Sequence, residues 1–254
     1  MKVSICIASY NQKQFLREAL ESCLTQGYRN KEIIIWDDAS TDGTIDLFER
    51  GYPHVKYFKG QAPSGSGGAF NHAISKATGS IIVLLCADDV FTNPNVISDI
   101  VDLFMEKGNQ SVGYITRFYY QFIDGDRSPV RAWRSYDPIE LANNPSGLAF
   151  RKDAIGTCQL SNKMFVEAPA LVDCVLNKGW RWDILEYDTV AVRIHNSTAR
   201  SKEYYKKRWV SSPIEEWNKV RGAALLQDFT SLVQIKNYYT IGAVVNEIRN
   251  FIKY

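Results

Sequence analysis

The sequence predicts an α/β fold, with a mostly parallel central sheet flanked by helices, a smaller antiparallel portion and a helical C-terminal tail. Three observations predict it. Ser80 to Ala87 is a continuous apolar run after Gly79 and before a polar turn, the pattern of a strand buried on both faces. Val3 to Ala8 and Glu32 to Trp36 are also too apolar for half-solvated strands, and a helical spacing lies between them. That order makes a βαβ unit with a right-handed crossover. Finally, two of these runs end on adjacent carboxylates, Asp37-Asp38 and Asp88-Asp89. The carboxyl ends of strands are where open α/β sheets bind ligands.

Each element can be justified in order. Ser9-Tyr10-Asn11 closes the first strand, and Phe15, Leu16, Ala19, Leu20 and Cys23 then repeat at helical spacing up to Gly27. The second strand ends on Asp37-Asp38, and Ala39 to Thr44 form a tight turn. Val55 to Phe58 is a third short strand, Pro63 to Gly68 reads as a flexible loop, and Ala69 to Lys76 as a helix. After Pro94 a helix to about residue 107 presents Val96, Ile97, Ile100, Val101, Leu103 and Phe104. From Val112 to Trp133 aromatic and β-branched residues surround Asp124-Gly125-Asp126, which reads as an antiparallel hairpin. A loop at Asn143 to Gly147, a strand at Leu148 to Phe150, a helix at Phe165 to Asn177 stopped by Gly179, and a strand at Thr189 to Ile194 complete the pattern. The composition shift divides the chain into residues 1–110, 111–200 and a tail at 201–254. From Arg200 to Tyr254 ten Lys/Arg stand against five Asp/Glu, interleaved with aromatic residues. Such a tail packs on the core or makes peripheral contact with a membrane surface.

Composition excludes several classes. At 254 residues, 45% of them hydrophobic, the chain can bury a substantial core, and a net charge of +2 gives no case for nucleic-acid binding. No window offers the eighteen uninterrupted apolar residues of a membrane span. The five cysteines include no Cys-x-x-Cys pair, and three lie inside apolar patterns, so they read as small core residues of a reducing compartment. With strand-like sequence from the first residues and no signal-peptide pattern, a cytoplasmic location is expected, including the inner face of a membrane. The sequence does not specify the oligomeric state, a homo-oligomer included.

The motifs carry the chemistry. Two adjacent carboxylates repel unless a cation lies beside them, and a divalent ion carrying a polyphosphate suits Asp88-Asp89. Asp37-Asp38 can receive a base or ribose, or can satisfy its own turn. His195 follows a strand and completes a metal site if the chain folds back over the sheet edge. No Gly-Lys-Ser/Thr follows the glycines at 65–68, and no Gly-x-Gly-x-x-Gly follows the first strand, so the phosphate-loop and dinucleotide readings fail.

In order and spacing, Val3 to Asn11, Ile34 to Thr44, Ala69-Phe70-Asn71-His72-Ala73, Ala77 to Ser80 and Cys86-Ala87-Asp88-Asp89 resemble the family 2 glycosyltransferases, inverting enzymes of the GT-A fold. The resemblance covers roughly residues 1–200. It implies that Ala8, Tyr10 and Asp38 hold the nucleotide base, that Asn71 lines the donor site and that Asp88 contacts the ribose. It also implies that Asp89, with His195, binds Mn²⁺ or Mg²⁺. The donor it implies is a nucleotide-diphosphate sugar, expected to be UDP-linked. The acceptor is a hydroxyl of a glycan or of a lipid-linked or protein-linked molecule, in polysaccharide or glycan assembly. The chain departs from the family pattern twice. Ala-Phe-Asn stands for the usual Ala-Arg-Asn, and Glu167-Ala168 stands for the Glu-Asp pair that supplies the base. Glu167 or Asp173 then serves as base; they lie about 600° apart along a helix and do not share a face. A nucleotide-sugar-binding partner subunit without turnover and a nucleotidyltransferase are the alternative classes.

Overall fold

The computed structural model describes residues 1–52, 54–107, 111–115, 117–122, 144–162, 167–183, 185 and 187–195. The tail at 201–254 and the Asp124-Gly125-Asp126 turn lie outside them. A seven-stranded sheet runs in the order β3-β2-β1-β4-β8-β6-β9. Its strands are β1 (Val3–Ser9), β2 (Lys31–Asp37), β3 (Val55–Lys59), β4 (Ile81–Cys86), β6 (Ser111–Ile115), β8 (Leu148–Arg151) and β9 (Arg181–Asp183). Strands β3, β2, β1 and β4 are mutually parallel, as the apolar runs of β1, β2 and β4 predict. Strand β8 is antiparallel to both neighbours, and β9 runs parallel to β6. The sheet therefore continues across residue 110.

Helices cover both faces because the strand residues alternate. Ile5, Ile7, Val83 and Leu85 meet α1 (Lys13–Leu24) and α4 (Val96–Lys107) in one apolar cluster. Cys6, Ile34, Ile82 and Leu84 meet α3 (Gly65–Lys76), α5 (Lys152–Ile155) and α6 (Glu167–Asn177) in the other. A short α2 (Asp46–Arg50) follows the second strand. A three-stranded sheet, β5 (Val90–Phe91), β10 (Asp188–Ile194) and β7 (Arg117–Phe122), stands beside the first. Among the described residues no helix is long and apolar enough to cross a membrane.

Two expectations are corrected. The glycine-rich stretch at 65–68 is the first turn of α3, not a loop. A β-carbon on Gly67 would fall 2.0 Å from the Ser161 carbonyl oxygen, so the glycine permits close packing rather than flexibility. The turn and second arm of the expected hairpin lie outside the described residues; its first arm is two strands, β6 and β7, which belong to different sheets. The cysteines are not all free thiols: Cys158 and Cys174 form a disulfide across Cα atoms 5.8 Å apart, tying the segment after α5 to α6. Cys6 and Cys23 are buried core thiols as expected, and burial pushes Cys23 up to about 12.

Candidate active site

Strand order places the site. In 3-2-1-4 order the winding reverses between β1 and β4, and a crevice opens there outside the carboxyl ends. Ala8 pairs in register with Trp36 on one side and Cys86 on the other, so Tyr10, Asp38 and Asp88 emerge along one edge. Tyr10 is 52% exposed, a large aromatic left in solvent at the end of a buried strand. The loops beyond β1 and β2 are held together. Asn11 accepts from the Thr41 N–H at 2.8 Å and its own N–H donates to Ser40 Oγ at 2.8 Å. Asn11 and Ala39 adopt φ of 52° and 66°, and such left-handed strain in non-glycine residues concentrates at functional sites.

The first acidic pair is engaged by the fold. Asp37 is fully buried and accepts from the Tyr57 hydroxyl and, at 2.8 Å, from the Ser40 N–H. The Asp38 carboxylate caps α3, accepting from the Ser64 N–H at 2.8 Å, the Ser64 hydroxyl at 2.6 Å and the Gly65 N–H at 2.8 Å. Asn71 is engaged at both ends of its amide, donating to the Leu160 carbonyl and accepting from the Leu160 N–H, each at 2.9 Å. It fastens α3 to the segment after α5. Phe70, where the family has Arg, is fully buried in the core.

The second pair divides its labour. Asp89, 2% exposed, accepts from the Ser146 hydroxyl on one oxygen and from the Arg193 N–H at 3.0 Å on the other. Burial, and then the neighbouring Asp88 charge, raise its carboxyl well above the usual range. Asp88 sits half-buried on the turn after β4, and its Oδ2 lies 3.1 Å from His195 Nε2. The His195 side chain is 5% exposed and stacks on Phe15 at 4.0 Å between ring centroids. The strand β10 thus folds back over the sheet edge, as the sequence expectation required. It brings the imidazole to Asp88, whereas Asp89 faces Ser146 and the β10 main chain.

The donor set suits a divalent ion. Ligand atoms of Cys86, Asp88 and Asp89 lie within 4.8 Å of one another, and the His195 nitrogen joins Asp88 from β10. Carboxylate oxygen and imidazole nitrogen together match Mn²⁺ and comparable ions.

The candidate base Glu167 begins α6, and its side chain lies outside the described residues. Ala168 is buried with Leu171, Val172 and Val175 in the second cluster, so a carboxylate at 168 would enter an apolar environment. Asp173 accepts from the Asn177 side chain at 3.3 Å, an exposed pair along the helix. Sequence reasoning missed Ser146, Phe15 and Arg193 as parts of this site. Only Arg193 left a signal: a guanidinium inside the apolar strand Val190-Ala191-Val192 must find partners.

Comparison with known proteins shows the family and the fold. The family model "Glycosyl transferase family 2" matches residues 4–168. A glycosyltransferase of Nostoc sp. is 39% identical over 174 residues, covering 61% of this chain and 52% of its own. The Escherichia coli UDP-Glc:alpha-D-GlcNAc-diphosphoundecaprenol beta-1,3-glucosyltransferase WfaP is 38% identical over 106 residues, covering 41% of this chain and 42% of its own. The chain thus matches about half the length of these relatives. The structure of S. aureus TarS 1-349 in complex with UDP-GlcNAc superposes with a TM-score of 0.66 at 19% identity, over 81% of this chain and 64% of that one. The mannosyltransferase PcManGT of Pyrobaculum calidifontis, in complex with GDP-Man and Mn2+, gives 0.62 at 16% identity, over 82% and 59%. Both share the fold, a GT-A α/β sheet. The chain belongs to glycosyl transferase family 2.

Proposed function

We propose that this protein transfers a sugar from a nucleotide-diphosphate sugar, UDP-linked, to an acceptor hydroxyl with inversion at the anomeric carbon, in polysaccharide or glycan assembly. The observation that carries the reading is the meeting of Asp88 and His195, 107 residues apart, at 3.1 Å on the carboxyl edge of the parallel sheet. In this reading residues 1–110 hold the donor and 111–200 the acceptor. Tyr10 and Ala8 receive the base. Asp38, with three donors already on its carboxylate, keeps about one of its four acceptor positions for an imide N–H. Asn71 serves the donor site through the segment it fastens.

Asp88 and His195 would hold Mn²⁺ or Mg²⁺, because they meet at the crevice edge whereas Asp89 is 2% exposed and faces Ser146 and the β10 main chain. Asp89 then backs the pair from the buried side. When bound, such an ion supplies Lewis-acid stabilisation of the charge that builds on the leaving diphosphate. The acceptor hydroxyl attacks the anomeric carbon from the face opposite the nucleotide. Glu167, at the start of α6, takes its proton; Asp173 is the less favoured base because its carboxylate pairs with Asn177 along the exposed helix face. Glu167→Gln tests this assignment. Nucleotide affinity should stay at the wild-type value while the transfer rate falls about 10²–10⁴-fold. A fully active variant would move the base elsewhere.

A further inference from the structure

Arg193 is a cation on β10 flanked by apolar strand residues, and it is 4% exposed. A guanidinium in that position is tolerated only when its donors are engaged. Its donors go to separate elements. Nε donates to the Asp88 main-chain carbonyl, on the turn after β4. Nη2 donates to the Phe15 carbonyl of α1 at 2.9 Å, and Nη1 to the Glu18 carboxylate one turn further along that helix. The Arg193 main-chain N–H holds Asp89 at 3.0 Å. The guanidinium carbon also lies 5.3 Å from the centroid of the Phe15 ring, the same ring on which His195 stacks.

These contacts converge on one pair of side chains. Asp88 belongs to a turn without ladder partners, and His195 follows the last residue of β10, so neither is fixed by the sheet itself. Arg193 pins the main chain of the first directly. It sets the second through Phe15, whose carbonyl it grips and whose ring carries the imidazole. We propose that Arg193 is the positioning residue that fixes Asp88 and His195 at the separation a divalent cation needs; the inference rests on the metal reading given above. The planar fork is essential to the role. Its three donor directions reach three acceptors at once, whereas a lysine ammonium is a point charge that cannot span them. Residues that orient metal ligands typically govern affinity by 10–100-fold.

The test measures Mn²⁺ binding to the full chain by titration, following free Mn²⁺ by electron paramagnetic resonance, with no nucleotide and no turnover. Arg193→Lys and Arg193→Gln carry it, both long enough to stay in the strand. Glu32→Gln serves as the destabilised control, because Glu32 lies at the opposite edge of the sheet, beside Ser4 and Thr78. The expected result is a dissociation constant for Mn²⁺ raised about 10–100-fold in both Arg193 variants and unchanged in Glu32→Gln. Arg193 variants that bind Mn²⁺ with the wild-type constant would overturn the positioning role alone. A wild-type chain that binds no Mn²⁺ would overturn the metal reading and the inference with it. A Glu32→Gln chain weakened as much as the Arg193 variants would reduce Arg193 to a structural residue and overturn the role too.

Discussion

Asp37-Asp38 and Asp88-Asp89 look alike as sequence: each is an acidic pair ending a buried parallel strand. In the structure they differ by what they face. Both members of the first pair are taken up by fold contacts, Asp37 by Tyr57 and Ser40 and Asp38 by the first turn of α3. In the second pair only Asp89 is taken up in this way, and Asp88 looks across to an imidazole. Neighbouring residues at a strand end point to opposite sides, so one carboxylate of a pair can be structural while the next is chemical. Two carboxylates in a row therefore do not make a site. A titratable partner arriving from a distant strand marks the one proposed above.

The comparison can be broken by substitution, beginning with the largest expected effect. Asp88→Asn should lower kcat/KM by about 100-fold or more while leaving the thermal midpoint near wild type, since among the described residues the Asp88 carboxylate meets His195 and no buried fold contact. Wild-type kinetics in that variant would return the chemical role to Asp89. Asp37→Asn should do the reverse. Its buried carboxylate accepts from Tyr57 and Ser40, so urea denaturation should show a loss of about 2 kcal/mol with metal affinity unchanged. Asp38→Ala removes the cap of α3 and should cost about 1 kcal/mol, together with weaker nucleotide binding. Unaltered nucleotide affinity there would confine Asp38 to the cap.

A third acid sharpens the contrast from the opposite edge. Burial pushes the Glu32 carboxyl up, but hydrogen bonds from Ser4, Lys56, Thr78 and Lys2 together outweigh burial and hold it well below the usual range. Its folded pKa thus lies below its unfolded one. The stability it contributes is present above the unfolded pKa and is lost as pH falls through the folded one. Thermal midpoints measured from pH 5 downward should fall less steeply in Glu32→Gln than in wild type. Equal slopes would place acid lability elsewhere.

Much of this was legible in the sequence. Strands β1, β2 and β4 were readable because burial on both faces leaves continuous apolar runs, and those runs end where the proposed site lies. His195 was readable as a candidate because it closes such a run. The cap formed by Asp38 was not, because glycine-rich sequence at 65–68 signals a loop unless the helix packs as closely as Gly67 does against Ser161. The Cys158–Cys174 bridge was invisible for a related reason: it depends on how α6 docks, and 16 residues of separation carry no pairing signal. The division of residues 111–122 between two sheets was not legible, because alternation shows that a segment is a strand but not which sheet it joins. The roles within Asp88-Asp89 also escaped the sequence, since they turn on Ser146 and Arg193 arriving from 57 and 104 residues away.

The central claim is that the edge beyond β4 holds a diphosphate through a divalent ion at Asp88 and His195. The most direct measurement is the thermal midpoint of the full chain with UDP, GDP, dTDP or CMP, each with and without Mn²⁺. The account predicts that UDP raises the midpoint only when Mn²⁺ is present, and that Asp88→Asn abolishes the rise. A UDP shift of equal size without metal, or no shift with any nucleotide, would contradict it.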